Sequence, residues 1–242
     1  MRTEHKHYNP NFLHHQHSFA HLYGREIVFG MQDGMVSLLG ALTGIAVGSN
    51  DHFTIVLSGL SIIFTSALSM AIGTYNSLST EGKIEKRVLD EEKEEIEKRP
   101  VDEKEEVNEL FVEDGWPREI SEKMAEYAAR DNKLMLREMA YRELGIVSRK
   151  FHKPIHKSLV MFFSWVFGGS FPLLPYIFLP VATAINISII ATLTGLFILG
   201  ATMSKFTKQK ALMAGIEIVI IGGIAMASGF AIGHLVDLFI HH

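Results

Sequence analysis

Asp33 is the residue of this sequence whose position most needs a chemical explanation. It lies in an apolar run, residues 27–48, that contains no other charged side chain. A carboxylate in hydrocarbon is costly unless it is paired, hydrated or bound to an ion. On a helix, Glu26, Gly30, Asp33 and Ser37 would share one face. Two interpretations follow: Asp33 pairs with a neighbouring helix, or it forms an ion or proton site.

Met70, in the stretch "SALSMAIG" of the next apolar run, is the second residue of interest. A methionine in an apolar helix usually fills space in the core. Its thioether also binds softer transition metals, whereas Mg²⁺ and Ca²⁺ prefer oxygen ligands. If Met70 and Asp33 face one pathway, the pair favours a transition metal such as Fe²⁺ over an alkaline earth ion.

The charged segment 81–150 contains carboxylates at helical spacing. Alternating acidic and basic residues are usually a solvated, ion-paired surface. A second interpretation is a metal site, because pairs three or four residues apart on a helix converge on one side. The candidate pairs are Glu92 with Glu95, Glu103 with Glu106, and Met139 with Glu143.

Glu217 lies about one turn inside the start of the last apolar run. Water and lipid headgroups reach that depth. Two roles are open for its carboxylate, packing with Lys210 or passing protons.

The segregation of charge shows which elements must hold these residues. Hydrophobic residues make up 48% of the 242-residue chain, and charged residues make up 21%. A membrane-spanning helix needs about 20 apolar residues. Five runs meet this length, which predicts an all-α membrane protein with five transmembrane helices: 27–48, 53–80, 158–180, 182–204 and 211–238.

The basic residues predict the orientation of the chain. All 23 Lys and Arg lie before the first run, between residues 81 and 157, or between the fourth and fifth runs. Cytoplasmic loops carry the excess of basic residues. We therefore expect a cytoplasmic N-terminus, a cytoplasmic insert, and a C-terminus outside the cell or in a lumen.

Four regions are expected along the chain. The histidines of the first region favour a disordered tail, with weak metal capture as the alternative. The regions are a His-rich tail (1–24), the first two spans (25–80), a helical insert (81–150) and the last three spans (151–242). No Cys is present, and no basic face stands clear of acidic neighbours, which argues against thiolate metal sites and a nucleic-acid partner.

Glycine and proline predict where the helices end. The second span has no breaker and should continue directly into the insert, where Pro100 ends the helix. A second helix is expected over about 101–113, and a third from Pro117 to before Gly145. Pro172 and Pro175 predict that the outer half of the third span is kinked or unwound.

Four stretches together resemble the vacuolar iron transporter family. They are "REIVFGMQDGMVSLLGALTGIAVGS", "SALSMAIGTYNSLSTE", "RELGI" and "GGSFPLLPYIF", in the family's order over about residues 24–238. The resemblance implies a dimeric exchanger, not an enzyme, that moves Fe²⁺, and often Mn²⁺, out of the cytosol against protons. No prosthetic group is expected. The membrane would be the cell membrane in a prokaryote or a vacuolar-type membrane in a eukaryote.

The resemblance also implies roles for residues. Asp33 and Met70 would bind the metal in the membrane. Apart from the resemblance, Glu26 and Glu217 are candidates for a proton relay. Thr74 stands where many members carry an acidic residue, and Ala140 stands where a second methionine often follows the first. The ligands in the insert would be Glu92, Glu95, Glu103, Glu106, Met139 and Glu143.

Two further expectations concern assembly and function. Small residues on the first and fifth spans, including Gly229 and Gly233, favour close helix pairing and a C2 homodimer. The competing functional class is a membrane-anchored iron-binding sensor or store, in which the spans only tether the insert.

Overall fold

The computed structural model describes residues 19–146 and 154–240. Most of the predicted His-rich tail, and His241 and His242, lie outside this part. Within it the chain is all-helical, with no strand. Eight helices follow one another: α1 Phe19–Ser49, α2 His52–Lys98, α3 Pro100–Glu113, α4 Arg118–Ala128, α5 Asn132–Arg142, α6 Pro154–Phe178, α7 Val181–Thr207 and α8 Ala211–Ile240.

Five of these helices, α1, α2, α6, α7 and α8, are long and apolar enough to cross a membrane, which confirms the predicted spans. Helix α2 has 47 residues. At 1.5 Å per residue it is about 70 Å long, more than twice the thickness of a hydrocarbon core of about 30 Å. Its charged residues 81–98 therefore lie beyond the membrane-spanning part. The prediction that the second span continues into the insert as one helix is confirmed.

The chain divides into two compact units, and the first contains the spans. It consists of Met1–Thr74 and Ile155–His242. One core cluster joins α1, α2 and α6 around Leu42, Ile63 and Trp165. A second cluster joins α1, α7 and α8 around Met35, Leu196 and Ile218.

Helices α1 and α8 pack backbone to backbone within one chain. A Cβ atom added to Gly44 would lie 2.7 Å from the carbonyl oxygen of Gly229, and one added to Gly48 would lie 3.3 Å from that of Gly233. The glycine faces that were expected to favour a dimer are therefore occupied inside the chain. Close pairing of the first and fifth spans is present, but these faces are not available to a second copy.

Helix α6 differs from the prediction. Pro172 and Pro175 lie inside it, and the helix continues to Phe178, so the outer half is not unwound, whereas the alternative of a kink stays a prediction. A neighbouring helix supports the backbone there, because the Ser188 hydroxyl of α7 donates a hydrogen bond to the Pro172 carbonyl over 2.7 Å. Support from neighbouring helices is what makes proline tolerable within a span.

The second unit, Tyr75–Pro154, has its own apolar core. Its buried residues are Ile96, Val107, Phe111, Ala125, Ala128, Met135 and Met139. Pro100 begins α3, as expected from its role in ending the preceding helix. The predicted third helix is two helices, α4 and α5. The break falls before Asp131, whose carboxylate accepts a hydrogen bond from the Lys133 backbone N–H over 2.9 Å and so caps α5.

Candidate metal sites

Asp33 has a fixed environment in the first unit. Its Oδ2 accepts a hydrogen bond from the Trp165 indole N–H over 2.7 Å, and its Oδ1 accepts one from the Ser37 hydroxyl over 3.1 Å. Trp165 is buried, Asp33 is half-buried and Ser37 is exposed. The adjacent Gly34 explains how α6 comes so close, because a Cβ atom there would lie 2.5 Å from the Trp165 carbonyl oxygen.

The two oxygens of Asp33 differ in what they can bind. An indole N–H only donates, so the Trp165 bond keeps Oδ2 an acceptor and disfavours a proton on it. A hydroxyl donates or accepts, so Ser37 can rotate to accept from a proton on Oδ1. Oδ1 also lies toward the exposed Ser37. A cation or proton therefore has one preferred oxygen, and the carboxylate's orientation is set by Trp165.

Met70 borders the same core cluster as Trp165, and it is half-buried. No hydrogen bond joins Met70 to Asp33, both of which the structure describes. The two predicted membrane ligands thus lie around one cluster of α1, α2 and α6 without bonding to each other. The packing interpretation of Met70 and its role as a ligand are both compatible with this position.

Glu26 lies on α1 two turns before Asp33 and is buried. Its Oε1 forms an ion pair with the Lys157 ammonium of α6 at 3.0 Å. Its Oε2 is also buried and has no hydrogen-bond partner among the described residues. One half of this carboxylate is therefore paired and the other half is unsatisfied.

Glu217 lies on α8 and is exposed. It forms no ion pair with any side chain that the structure describes, and so it does not pair with Lys210. Both side chains are exposed, so the structure gives no support for packing between Glu217 and Lys210, and the proton-relay role stays a prediction.

The five glutamates of the insert come together in the second unit. Glu92 is within hydrogen-bonding reach of both Glu143 and Glu103, and Glu95 and Glu106 lie close enough to act on the cluster by their charge. Two helices and the end of a third supply these residues. Glu92 and Glu95 lie on α2, Glu103 and Glu106 lie on α3, and Glu143 directly follows α5. We call this set the glutamate cluster.

Burial and mutual repulsion raise the pKa values of the glutamate cluster. Burial and the charges of Glu143 and Glu103 raise the pKa of Glu92 to about 8. Burial, with the charge of Glu106, raises the pKa of Glu103 and that of Glu143. Carboxyl groups this close cannot all ionise at neutral pH without a cation to offset their charge.

Unsatisfied oxygens mark the cluster as a place for a cation. Oε1 of Glu92 and Oε2 of Glu103 are buried, and no N–H group or Ser, Thr or Tyr hydroxyl of the described residues donates to them. Buried acceptors of this kind call for an explanation such as an ion. In the described part of the chain, no three His, Asp or Glu side chains have the arrangement of a formed metal site. Binding would therefore require the side chains to adjust.

Met139 lies one turn before Glu143 and is fully buried in the core of the second unit. It packs there with Met135 and Phe111 among others. A ligand role would require its sulfur to leave this core or to be reached at its edge. Its observed contacts are those of a core side chain.

The sequence analysis did not identify Trp165 and Lys157, two residues of α6 that contact Asp33 and Glu26, respectively. Trp165 carries a polar N–H in an apolar run, and a buried indole N–H usually has a partner, so it gave the same kind of signal as Asp33. Lys157 is the last basic residue before the third apolar run. Its pairing with Glu26 could not be read from one sequence, because the two residues are 131 positions apart in the chain.

Comparison with known proteins identifies the family to which this chain belongs. A profile described as "VIT family" matches residues 24–234. The chain is 31% identical over 214 residues to a vacuolar iron transporter of Centaurea cyanus, covering 85% of this chain and 84% of that protein. It is 30% identical over 228 residues to vacuolar iron transporter 1 of Eucalyptus grandis (92% and 91%) and 31% identical over 216 residues to vacuolar iron transporter 1 of Arabidopsis thaliana (88% and 86%). This multi-pass membrane chain therefore belongs to the VIT family, a family of transporters and not of enzymes.

Proposed function

We propose that this protein moves Fe²⁺, and also Mn²⁺ and similar divalent transition metals, out of the cytosol in exchange for protons. The observation that carries the proposal is Asp33, a carboxylate in a membrane span that is held by Trp165 and Ser37. A dehydrating divalent cation needs an anionic oxygen in place of water. Asp33 supplies one on helix α1. Ionisable residues in membrane spans commonly mark ion pathways.

The same oxygen serves both exchange partners in this mechanism. Fe²⁺ binds Oδ1 of Asp33 while Trp165 holds Oδ2, and Met70 adds a soft sulfur at the same core cluster. When the metal leaves toward the outside or the lumen, a proton takes Oδ1 and the Ser37 hydroxyl turns to accept from it. Glu217, exposed near the start of α8, is the candidate for passing protons to and from water.

A second copy of the chain is expected over the Asp33 face. Asp33 is only half-buried and Ser37 is exposed in the single chain. Contact of a carboxylate with lipid is costly, whereas a partner chain or a water-lined path between two chains avoids that cost. A C2 homodimer that covers Asp33 fits this requirement, and a detergent-corrected mass from light scattering tests it. A monomeric mass would contradict it.

The glutamate cluster is proposed to gather metal on the cytoplasmic side. Its carboxylates raise the local concentration of divalent cations, whereas the membrane site must dehydrate and release them. The proposal includes a cytosolic N-terminus and insert and a C-terminus outside or in a lumen, and the distribution of the basic residues supports this orientation.

Uptake into sealed proteoliposomes tests the function. The liposomes carry an acidic interior, and the influx of Fe²⁺, Mn²⁺, Co²⁺ and Zn²⁺ is followed with and without the pH gradient. We expect Fe²⁺ influx with coupled proton efflux in the parent and loss of influx in Asp33→Asn. Asp51→Asn is the matched control, because Asp51 is exposed, precedes α2, and its carboxylate accepts hydrogen bonds from the backbone N–H and the hydroxyl of the nearby Thr54.

The outcomes separate the competing functions. A sensor or store would bind Fe²⁺ with no influx into sealed liposomes. Influx that is unaffected by Asp33→Asn would refute the proposed membrane site, and influx without any proton movement would refute the exchange.

A further inference from the structure

The ion pair between Glu26 and Lys157 leaves one oxygen of the buried Glu26 carboxylate without a partner among the described residues. Lys157 Nζ lies 3.0 Å from Oε1, and the side chains are only 5% and 13% exposed for Glu26 and Lys157, respectively. Oε2 is buried with no hydrogen-bond partner among the described residues. A buried ion pair offsets its desolvation only when the remaining lone pairs are also satisfied. This carboxylate has room for a stronger cationic partner than one ammonium.

Lys157 is also placed where it can be displaced. It lies in the first turn of α6, and the helix N-terminus carries a partial positive charge that disfavours a cation. Its ammonium sits on a flexible four-carbon stem, unlike the planar fork of arginine. Glu26 holds it in place by a single oxygen.

The pair is aligned with the proposed transport site. Glu26 and Asp33 are seven residues apart on one face of α1, about 10 Å along the helix axis. Each contacts α6, Glu26 through Lys157 and Asp33 through Trp165. Between them α1 is narrow at Gly30, where a Cβ atom would lie 3.2 Å from the Met161 sulfur.

We propose that Glu26 is a metal-binding carboxylate on the cytoplasmic side of Asp33, and that Lys157 is its displaceable counter-cation. A divalent cation takes both oxygens of Glu26 and the Lys157 ammonium swings away. A monovalent cation brings no more charge than the ammonium it must replace, so the pair selects for divalent ions. This inference rests on the proposed transport function and adds Lys157 to it as a specificity-determining residue.

Equilibrium binding of Fe²⁺ to the full chain in detergent tests the proposal without requiring transport. The parent for this test has Asp33→Asn and Gln at all five positions of the glutamate cluster, so that Glu26 is the remaining carboxylate among the proposed ligands. Removing the competitor with Lys157→Met is expected to tighten Fe²⁺ binding about tenfold, the scale of one lost charged hydrogen bond. Lys157→Arg, whose guanidinium can engage both oxygens, is expected to weaken it about tenfold.

Two controls fix the interpretation. Lys210→Met removes an exposed lysine near the start of α8 and should leave the Fe²⁺ affinity unchanged. Glu26→Gln should abolish the binding and also the effect of Lys157→Met. Tighter binding is not a result of structural damage, so it supports displacement.

The proposal is overturned if the parent shows no Fe²⁺ binding that depends on Glu26, or if the Lys157 variants bind as the parent does. If Lys157→Met does not fold, the Lys157→Arg variant decides alone. Fe²⁺ binding to Lys157→Arg that is equal to or tighter than binding to the parent refutes the displacement of Lys157. Absence of flux in liposomes would instead refute the proposed function, so the two failures are distinguishable.

Discussion

Replacing Glu92 with glutamine removes the carboxyl group at the centre of the glutamate cluster. Burial and the charges of Glu143 and Glu103 raise its pKa to about 8. At pH 7 such a group is about 90% protonated in the metal-free protein, and a bound divalent cation requires it to ionise. Metal binding at pH 7 should therefore release about 0.9 proton from Glu92, about 0.5 at pH 8 and about 0.1 at pH 9.

The stability of the folded, metal-free protein should change with pH in a direction set by the raised pKa of Glu92. Because the folded pKa lies above the ordinary value of 4.5, the unfolded chain ionises first, and stability falls as the pH rises from about 4.5 to about 8. At pH 7 the upper limit of this loss is about 3 kcal/mol, reduced to about 1 to 2 kcal/mol by screening from water and salt. Glu92→Gln should stabilise the metal-free protein at pH 7 by that amount and have little effect at pH 4.

Titration calorimetry of the full chain measures the released protons, using two buffers of different ionisation enthalpy at pH 7, 8 and 9. Thermal unfolding in detergent measures stability. Glu94→Gln is the matched control, because Glu94 lies on the same helix, is exposed and pairs with Lys98. Proton release that persists in Glu92→Gln, or a metal-free variant less stable than the parent at pH 7, would refute the assignment of a protonated, metal-accepting Glu92.

Three further changes test the membrane unit. Met70→Leu should keep the packing and shift the ranking of transported metals away from Fe²⁺ toward harder ions, because the sulfur is lost; an unchanged ranking in liposome uptake would leave Met70 as a core residue. Trp165→Phe should weaken Fe²⁺ transport about tenfold by removing the N–H that holds Asp33, while circular dichroism stays unchanged; parental uptake would contradict this role. Gly44→Val should lower the thermal stability in detergent, because its side chain would meet the Gly229 carbonyl in the α1 and α8 contact, and equal stability would contradict the tight packing.

The sequence by itself determined the elements of this protein. Spans follow from the length of the apolar runs, since only a helix satisfies its own backbone in hydrocarbon. The continuation of α2 into the insert follows from the lack of a helix breaker before Pro100. The three-residue spacing from Glu92 to Glu95, and from Glu103 to Glu106, placed two carboxylates on one side of each helix. The cost of a charge in a span singled out Asp33.

Tertiary structure alone decided which residues meet. Trp165 donates to Asp33 across 132 positions, and Lys157 pairs with Glu26 across a similar separation. A single sequence carries no signal for such pairs, because each depends on how two helices pack and not on local spacing. The glycines of α1 and α8 show the same limit, since their spacing predicts a close helix contact but not whether the partner helix belongs to the same chain. Local periodicity fixes the face of a helix, and only the packing of that face decides what it touches.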